Sequence, residues 1–398
     1  MYTISFFLQK CKVEIDTFVN IVYNRETIIH REGAFAIRII ENRRALHRIP
    51  ELDFQLPETI YYLRSELEGL GCELFSPIEG SLCAWFDFGA EKAIAFRADM
   101  DALPIEEATG AAYASRNPGN MHACGHDGHM AIALELARRL SRRKQGNRNV
   151  LLVFQPAEEA TGGAKPICDS GVFEQYQVEA IFGLHLWPGL TKGKVFSRPG
   201  GMMSRSAELD VDFYGKSAHI GRSWEGIDSM EAACCFLQKA YALERSVPAD
   251  IPRLLKFGHM QSGTVRNAIS AHTRMEGGLR AFSDEVFFGL RDRLLEIAGE
   301  VEAQFGCTVK VHTSNGYPAI DNPQWLWEKI SALAPLQYLE EPSMTTEDFS
   351  WYQRRIPGMF FFLGLGENPA LHSSNFDFDE SVLTLGADFF EKILEGWA

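Results

Sequence analysis

Apolar runs of strand length alternate with amphipathic helical stretches through the first half of the chain. This alternation is typical of a parallel β-sheet covered by helices. Four apolar runs, each followed by a segment rich in Cys, His, Asp or Glu, span residues 93–96, 150–154, 180–184 and 359–363. In open α/β sheets ligands bind outside the carboxyl ends of the strands, so these four ends are predicted to meet at one crevice.

Two helices are predicted before the first of these strands. Residues 36–48 carry apolar side chains at helical spacing and end at Ile49-Pro50, because proline disfavours helical geometry in the preceding residue. A second helix is predicted from Pro57 to Leu70, with Gly71 ending it.

The pattern changes between residues 203 and 311. Segments in which apolar and polar residues alternate with period two flank helices predicted at 229–245 and 285–305. This pattern is typical of an α+β unit. A chain of 398 residues is also long for a single core, which rarely grows beyond about 250 residues. We therefore predict an α/β fold, a mainly parallel sheet flanked by helices formed by residues 1–202 and 312–398, with residues 203–311 inserted as an α+β domain.

Composition narrows the range of partners. A formal net charge of −14 repels phosphate backbones and anionic lipid headgroups, which argues against nucleic acid and membrane surfaces as partners. The apolar stretch near the start has about four residues, fewer than the ~7 to 15 of a secretory signal, and no other run approaches the roughly 18 residues of a membrane span, so we expect a cytoplasmic protein. The eight cysteines show no framework spacing, and structural disulfides are not expected.

The densest chemistry lies in Met121-His-Ala-Cys-Gly-His-Asp-Gly-His, predicted as a loop before a helix at residues 132–140. Cys124 and His126 are separated by one glycine and are good ligand types for zinc-like ions. The alternative is a Cys-His nucleophilic pair, as in thiol hydrolases. The other strand ends favour the metal interpretation, because a nucleophilic pair would not explain them.

Two adjacent carboxylates follow the second strand. Neighbouring side chains of an extended chain point to different sides, so Glu159 can bind a metal while Glu158 reaches a water molecule. Metal coordination lowers the pKa of water towards about 7, and a nearby carboxylate can accept its proton and pass it to a leaving amine. The alternative is a solvated acidic turn, which the preceding buried strand disfavours.

Single histidines follow the remaining two strands. His185 ends an apolar run and His372 lies after a Gly-Leu-Gly turn; taken alone, each is more often a structural histidine than a ligand. Together with the first two segments they give more ligands than one tetrahedral ion can hold, which favours two ions sharing a ligand. Asp99 and Asp101 follow the first strand, and Asp101 is predicted to hold a neighbouring ligand by a hydrogen bond.

From about residue 39 onward, six segments in this order resemble the aminoacylase and carboxypeptidase group of metal amidohydrolases. The closest resemblance is to the branch with hippurate hydrolases, indole-acetyl-amino-acid hydrolases and N-acetyldiaminopimelate deacetylases. The segments are His47-Arg-Ile-Pro-Glu-Leu, Arg97-Ala-Asp-Met-Asp-Ala-Leu-Pro-Ile, Met121-His-Ala-Cys-Gly-His-Asp-Gly-His, Phe154-Gln-Pro-Ala-Glu-Glu, Gly183-Leu-His-Leu-Trp-Pro and Leu371-His. The resemblance implies a base, Glu158, and a set of metal ligands in which Cys124 bridges two ions: Cys124, His126, Glu159, His185 and His372.

The same resemblance implies that residues 203–311 form a lid that also dimerises. His219 would reach across a homodimer to polarise the substrate carbonyl, and Asn267 and Arg280 would bind the substrate carboxylate. Read from the residues alone, His219 is equally a turn histidine, Asn267 a turn former and Arg280 a member of a surface ion pair.

The predicted reaction is hydrolysis of the amide bond of N-acyl amino acids, with N-acetyl, N-benzoyl or a related acyl group. The predicted cofactors are two divalent ions per chain, zinc or manganese first, with cobalt or nickel as further options. A metal-dependent dipeptidase or carboxypeptidase is the nearest alternative. A second alternative is a non-catalytic ligand-binding protein of the same fold. The presence of Glu158 argues against it, because a protein that only binds its ligand needs no general base.

Overall fold

The computed structural model describes residues 37–397. Its central sheet has eight strands. In spatial order they are β1 (Glu73–Phe75), β2 (Leu82–Phe86), β4 (Asn149–Gln155), β3 (Ala93–Asp99), β5 (Val178–Trp187), β14 (Gly358–Gly364), β6 (Val195–Ser197) and β13 (Gln337–Tyr338). The four strands predicted to lead into the site are β3, β4, β5 and β14; they are adjacent and mutually parallel, which confirms the predicted fold class.

Helices cover both faces of this sheet. They are α1 (37–47), α2 (Pro57–Leu67), α3 (His126–Leu140), α4 (Ala164–Asp169), α5 (Val172–Gln175), α8 (Gln324–Leu333), α9 (Ser350–Gln353) and α10 (Val382–Gly396). Helix α2 ends at Leu67 rather than the predicted Leu70, because Glu68 is extended and Gly69 has a φ of 78°.

Helix α3 corrects a second prediction. It begins at His126, not near residue 132, and Gly125 precedes it with a φ of 87°. His126, Asp127 and His129 therefore lie on its first turns and are buried. The loop-like composition of this segment is overridden by tertiary bonds, such as those of Asp127 to Arg43 and His47.

A second sheet has four antiparallel strands in the order β11 (Thr308–Thr313), β8 (Arg205–Tyr214), β10 (His272–Ala281) and β9 (Arg253–Ser262). Helices α6 (Ser229–Ser246) and α7 (Asp284–Phe305) pack on one of its faces around their own apolar core. A short 3-10 helix, Ile220–Glu225, follows β8. Strands β7 (Gly200–Met203) and β12 (Ile320–Asn322) pair where the chain enters and leaves this unit. The division into two domains at residues 203 and 311 stays a prediction.

Apolar side chains on the two faces of the central sheet form two separate clusters. Along β3, Ile94 and Phe96 belong to one cluster, and Ala93 and Ala95 to the other. Strands buried on both faces explain the continuous apolar runs of the sequence. Between residues 37 and 397 no helix is both long enough and apolar enough to span a bilayer.

Candidate active site

The carboxyl ends of the parallel strands bring together all five residues predicted as metal ligands. The side-chain donor atoms of Cys124, His126 and His185 lie within 4.8 Å of one another. The donor atoms of Cys124, Glu159 and His372 form a second group within the same limit. The two groups share Cys124, and its Sγ lies 3.4 Å from His185 Nε2. The arrangement is that of two adjacent centres with one thiol common to both.

Backbone carbonyls orient the two buried histidines. Nδ1 of His126 donates to the carbonyl of Asp101, and Nδ1 of His185 donates to the carbonyl of Leu186, each at 2.8 Å. A carbonyl only accepts, so each Nδ1 carries a proton, and Nε2 is the ring nitrogen that faces the site. Nε2 of His126 is buried and has no hydrogen-bond partner among residues 37–397. A metal ion that displaces the proton would give this buried nitrogen a partner.

Neighbouring charged groups shift the pKa values of His126 and Glu159 in opposite directions. Burial acts to lower the pKa of His126, but the carboxylates of Asp99 and Asp101 outweigh it and raise that pKa to about 10. Burial acts to raise the pKa of Glu159, but the imidazoles of His372 and His126 outweigh it and lower that pKa. A pocket with thiol, imidazole and ionised carboxylate donors fits divalent metal ions.

The same surroundings disfavour a nucleophilic cysteine. Burial, together with the carboxylates of Glu159 and Glu158, raises the pKa of the Cys124 thiol well above its ordinary value. Nucleophilic cysteines instead have lowered pKa values, in electropositive and partly exposed surroundings. The Cys-His pair is therefore better explained as part of a metal centre than as a thiol hydrolase dyad.

His372 reaches the centre through an unusual backbone conformation. Its φ is 64°, a region that non-glycine residues rarely occupy and that is concentrated at functional sites. Its backbone N–H donates to the carbonyl of Ala123 at 2.8 Å, which fixes it beside the loop of Cys124. Nε2 of His372 lies 3.2 Å from Oε1 of Glu159. The imidazole is about half exposed, so it forms the outer wall of the centre.

Asp101 fixes the backbone of the two glutamates. Its two carboxylate oxygens accept the N–H groups of Glu158 and Glu159, each at 3.0 Å. The preceding residue, Ala157, has a φ of 58°, so the chain turns sharply before Glu158. Burial raises the pKa of Glu158 well above its ordinary value, and the nearby carboxylate of Glu347 raises it further. Glu158 therefore lies beside the predicted ligand Glu159 as a group with high proton affinity.

A buried ion network that the sequence analysis missed lies beneath Glu158. Arg97 on β3 donates to Asp99 at 2.7 Å, to Glu347 at 2.8 Å and to Asp348 at 3.0 Å. Glu158, Glu347 and Asp348 have carboxylate oxygens within 4.8 Å of one another. The available signal was an arginine inside a continuous apolar strand, since a buried charge requires partners. The sequence did not identify partners 250 residues away.

The third histidine of the Cys124 segment is not free to bind metal. Nε2 of His129 accepts the N–H of Leu186 at 2.9 Å, and its Nδ1 donates to Asp99 at 2.6 Å. Both nitrogens are used. His129 therefore fastens α3 to β3 and β5 rather than serving as a ligand.

A cavity of about 870 Å³ opens over the centre. Its lining includes Cys124, Glu158 and His372, and also Glu208 and Arg280 of the second sheet. The volume lies within the range of about 300–1,000 Å³ found for ligand sites.

Two residues predicted to contact substrate lie outside that lining. His219 is exposed, and its Nδ1 accepts the N–H of Gly221 at 3.1 Å, so it caps the 3-10 helix. Asn267 is also exposed, and its carbonyl accepts the N–H of Ile220 at 2.9 Å. Within one chain these two residues lie near each other, and neither lines the cavity.

Comparison with known proteins places the chain in a family. Residues 95–396 match the family model described as peptidase family M20/M25/M40. N-acetyldiaminopimelate deacetylases of Listeria monocytogenes serotype 4a and Shouchella clausii are each 33% identical to this chain, covering 89% of it and 97% of the relative.

Solved structures agree with this placement. An aminohydrolase from methicillin-resistant Staphylococcus aureus has a TM-score of 0.86 at 28% identity, covering 91% of this chain and 96% of that one. The Bacillus subtilis YXEP protein, described as a dinuclear metal binding peptidase from the M20 family, has a TM-score of 0.81 at 30% identity, covering 91% and 98%. The chain belongs to the peptidase family M20/M25/M40.

Proposed function

We propose that this chain, a metal-dependent amide hydrolase by its family, holds two divalent ions with the five donors grouped around Cys124. One ion would lie among Cys124, His126 and His185, and the other among Cys124, Glu159 and His372. The observation that carries the proposal is that two compact donor groups share one buried thiol. Zinc and manganese remain the predicted metals, and cobalt and nickel also suit this mixed donor set.

We propose N-acyl amino acids as the substrates, and N-acetylated ones first. Curated relatives that span nearly the whole chain carry the name N-acetyldiaminopimelate deacetylase, which supports an acetylated amino acid. Arg280 lines the same cavity as the predicted metal ligands, where its guanidinium can bind the free carboxylate of such a substrate.

In the proposed mechanism Glu158 moves the proton. When bound, the metal pair supplies a Lewis acid for the amide carbonyl and makes the attacking water more acidic. Glu158 accepts the proton as water adds to the carbonyl carbon, then delivers it to the nitrogen as the C–N bond breaks. The products are a carboxylate and a free amino acid. Asp101 fixes the positions of Glu158 and Glu159 by accepting hydrogen bonds from both backbone N–H groups.

The lid is proposed to dimerise. Near His219 the large apolar side chains Ile220, Trp224 and Val265 are exposed, which supports a surface that a second copy covers. In such a homodimer His219 and Asn267 would complete the partner's site. The dimer and a cytoplasmic location stay predictions.

A substrate panel tests the proposed reaction. The purified protein, stripped of metal and reloaded separately with Zn²⁺, Mn²⁺, Co²⁺ or Ni²⁺, is assayed for amine release from N-acetyl amino acids, N-benzoyl amino acids and dipeptides. The proposal expects the highest kcat/KM on N-acyl amino acids. A clear preference for dipeptides would overturn it in favour of a dipeptidase.

Metal content tests the ligand set separately. Cys124→Ser replaces the shared thiol by a hydroxyl that does not ionise at neutral pH, so the variant is expected to bind less metal than the parent. Cys83→Ser is a matched control, because Cys83 is also buried but lies on β2, away from the site. A Cys124→Ser protein with two metal equivalents and normal activity would contradict the shared-ligand assignment.

A further inference from the structure

Tyr317 lies on the segment that returns from the second sheet to the central sheet, between β11 and β12. Its side chain is half-buried and lines the cavity together with Glu158. The hydroxyl donates to the carbonyl of Glu158 at 3.4 Å and to the carbonyl of Ala160 at 3.3 Å. One proton is shared between two acceptors, and both distances are accordingly long for a hydroxyl donor. Tyr317 thus contacts the backbone of the segment that carries the proposed base.

The peptide group between Glu158 and Glu159 is held at both of its polar atoms. The carbonyl of Glu158 accepts from Tyr317, and the N–H of Glu159 donates to Asp101 at 3.0 Å. A trans peptide group is planar, and its carbonyl and N–H point in opposite directions, so these two hydrogen bonds oppose rotation of the plane from opposite sides. The plane lies between the proposed base and the predicted ligand. Its orientation therefore sets the direction of one glutamate side chain relative to the other.

The Tyr317 ring is itself fixed against the turn that contains Glu158. Gly162 has a φ of 86°, and a Cβ added to it would lie 3.0 Å from Cε1 of the ring and 3.2 Å from the hydroxyl oxygen. The ring therefore packs directly on the backbone of Gly162. The N–H of Gly162 donates to the carbonyl of Ala157 at 2.8 Å, which closes the turn. At the other end of the tyrosine, its backbone carbonyl accepts the N–H of Ser206 at 3.3 Å. Both the ring and the backbone of Tyr317 are thus anchored.

We infer that Tyr317 is a positioning residue for Glu158, which fixes the peptide plane between Glu158 and Glu159 at its carbonyl while Asp101 fixes it at its N–H. This inference rests on the proposed function, in which Glu158 moves the proton. General-base catalysis depends on a base held within hydrogen-bond reach of the proton that it accepts. Tyr317 acts on that geometry through the backbone and takes no part in the chemistry. Loss of its hydroxyl is therefore expected to lower kcat and to leave KM and metal content unchanged.

Tyr317→Phe tests this inference, because it removes the hydroxyl and keeps the ring on Gly162. With metal saturating, kcat is expected to fall about three- to tenfold, the size of one hydrogen bond, while KM and metal content match those of the parent. Tyr317→Ala also removes the ring and should lower kcat further. Tyr338→Phe is the matched control, because Tyr338 is an exposed residue of β13 outside the cavity lining. That variant should keep the parent's kcat.

The same substitution in a Glu158→Gln background separates positioning from other roles. A residue that acts through Glu158 has little effect once the base is gone. Tyr317→Phe should therefore change the residual kcat of Glu158→Gln by less than about twofold. An equal fold loss in both backgrounds would overturn the inference, because the effect of Tyr317 would then not pass through Glu158.

Three other outcomes would also overturn the inference while leaving the proposed function standing. The first is a Tyr317→Phe protein with the parent's kcat. The second is a raised KM at unchanged kcat, which would make Tyr317 a substrate contact. The third is a loss of bound metal that accounts for the lower kcat, which would make its role structural. If Glu158→Gln itself keeps the parent's kcat, the proposed base is wrong and the inference fails with it.

Discussion

At the scale of single residues, the Asp101 carboxylate holds Glu158 and Glu159 by accepting hydrogen bonds from their backbone N–H groups. In Asp101→Asn one oxygen becomes an NH₂ group, which cannot accept a backbone N–H and faces one instead. We expect kcat to fall about 10- to 100-fold, as for other residues that support metal ligands, because the backbone of Glu158 and Glu159 is no longer held in place. Steady-state kinetics on the best substrate of the panel measures the effect.

The control for this prediction is Asp87→Asn. Asp87 is exposed and accepts only the N–H of Gly89, at 2.8 Å, in a surface turn. That variant should keep full activity. If Asp101→Asn also retained kcat within twofold of the parent, Asp101 would not position the glutamates.

The sequence predicted residue types better than residue contacts. Asp101 was expected to bind a ligand side chain, yet its carboxylate holds two backbone N–H groups and its carbonyl holds His126. The positive φ of His372 could not be predicted from the sequence either, because it depends on the hydrogen bond with Ala123. Residue types follow from chemistry, whereas the atom that makes each bond depends on tertiary geometry.

At the scale of elements, Arg97 joins β3 to the segment before α9. Arg97→Met removes the one guanidinium among Asp99, Glu347 and Asp348, leaving buried carboxylates without their counter-ion. Breaking a buried ion pair from one side costs about 3–5 kcal/mol. We expect the free energy of unfolding, measured by urea denaturation, to fall by that amount.

Arg38→Met is the matched control for that substitution. Arg38 pairs with Glu41 and Glu66 while half exposed, and exposed pairs contribute at most about 1 kcal/mol. Equal losses in the two variants would show that the buried network adds nothing beyond a surface pair.

The elements themselves were predicted unevenly. The strands β3, β4, β5 and β14 were recognised because double burial gives continuous apolar runs. The start of α3 was placed six residues too late, because His126, Asp127 and His129 read as loop residues. Their helical conformation depends on distant partners such as Arg43, which sequence patterns within a short window do not contain.

At the scale of the whole molecule, the contact of α1 with α3 predicts a pH dependence of stability. Burial acts to lower the pKa of His47, but Asp127 at 2.7 Å and Glu107 outweigh it and raise that pKa from 6.5 to about 9. Because the folded pKa is raised, the stabilisation is complete below pH 6.5 and is lost as pH rises through 9. This rise in the pKa of His47 corresponds to a contribution of at most about 3 kcal/mol to the free energy of unfolding.

Urea unfolding at pH 6 and pH 9.5, with metal saturating, compares the parent with His47→Gln. The glutamine does not titrate, so the difference in unfolding free energy between the two proteins should shrink at the higher pH. A difference that is the same at both pH values would show that His47 carries no charge in the folded protein.

The position of the second sheet relative to the central sheet could not be predicted from the sequence. The insertion was predicted from the change in its pattern of apolar and polar residues, but nothing in that pattern predicted that Arg280 would line the same cavity as the predicted metal ligands. That juxtaposition depends on how the segments near residues 204 and 316 cross: the N–H of Ser206 donates to the carbonyl of Tyr317 at 3.3 Å. Gly316 is required there, since an added Cβ would lie 1.6 Å from the Ser206 oxygen.

The central claim is that Glu158 moves the proton while its neighbour Glu159 holds metal. The most direct test measures metal content and turnover together in Glu158→Gln and Glu159→Gln. The account predicts that Glu158→Gln keeps the parent's metal content while kcat falls by about 10²–10⁴, the usual contribution of a general base. Glu159→Gln should lose metal as well. Turnover in Glu158→Gln within tenfold of the parent, at full metal content, would contradict the account.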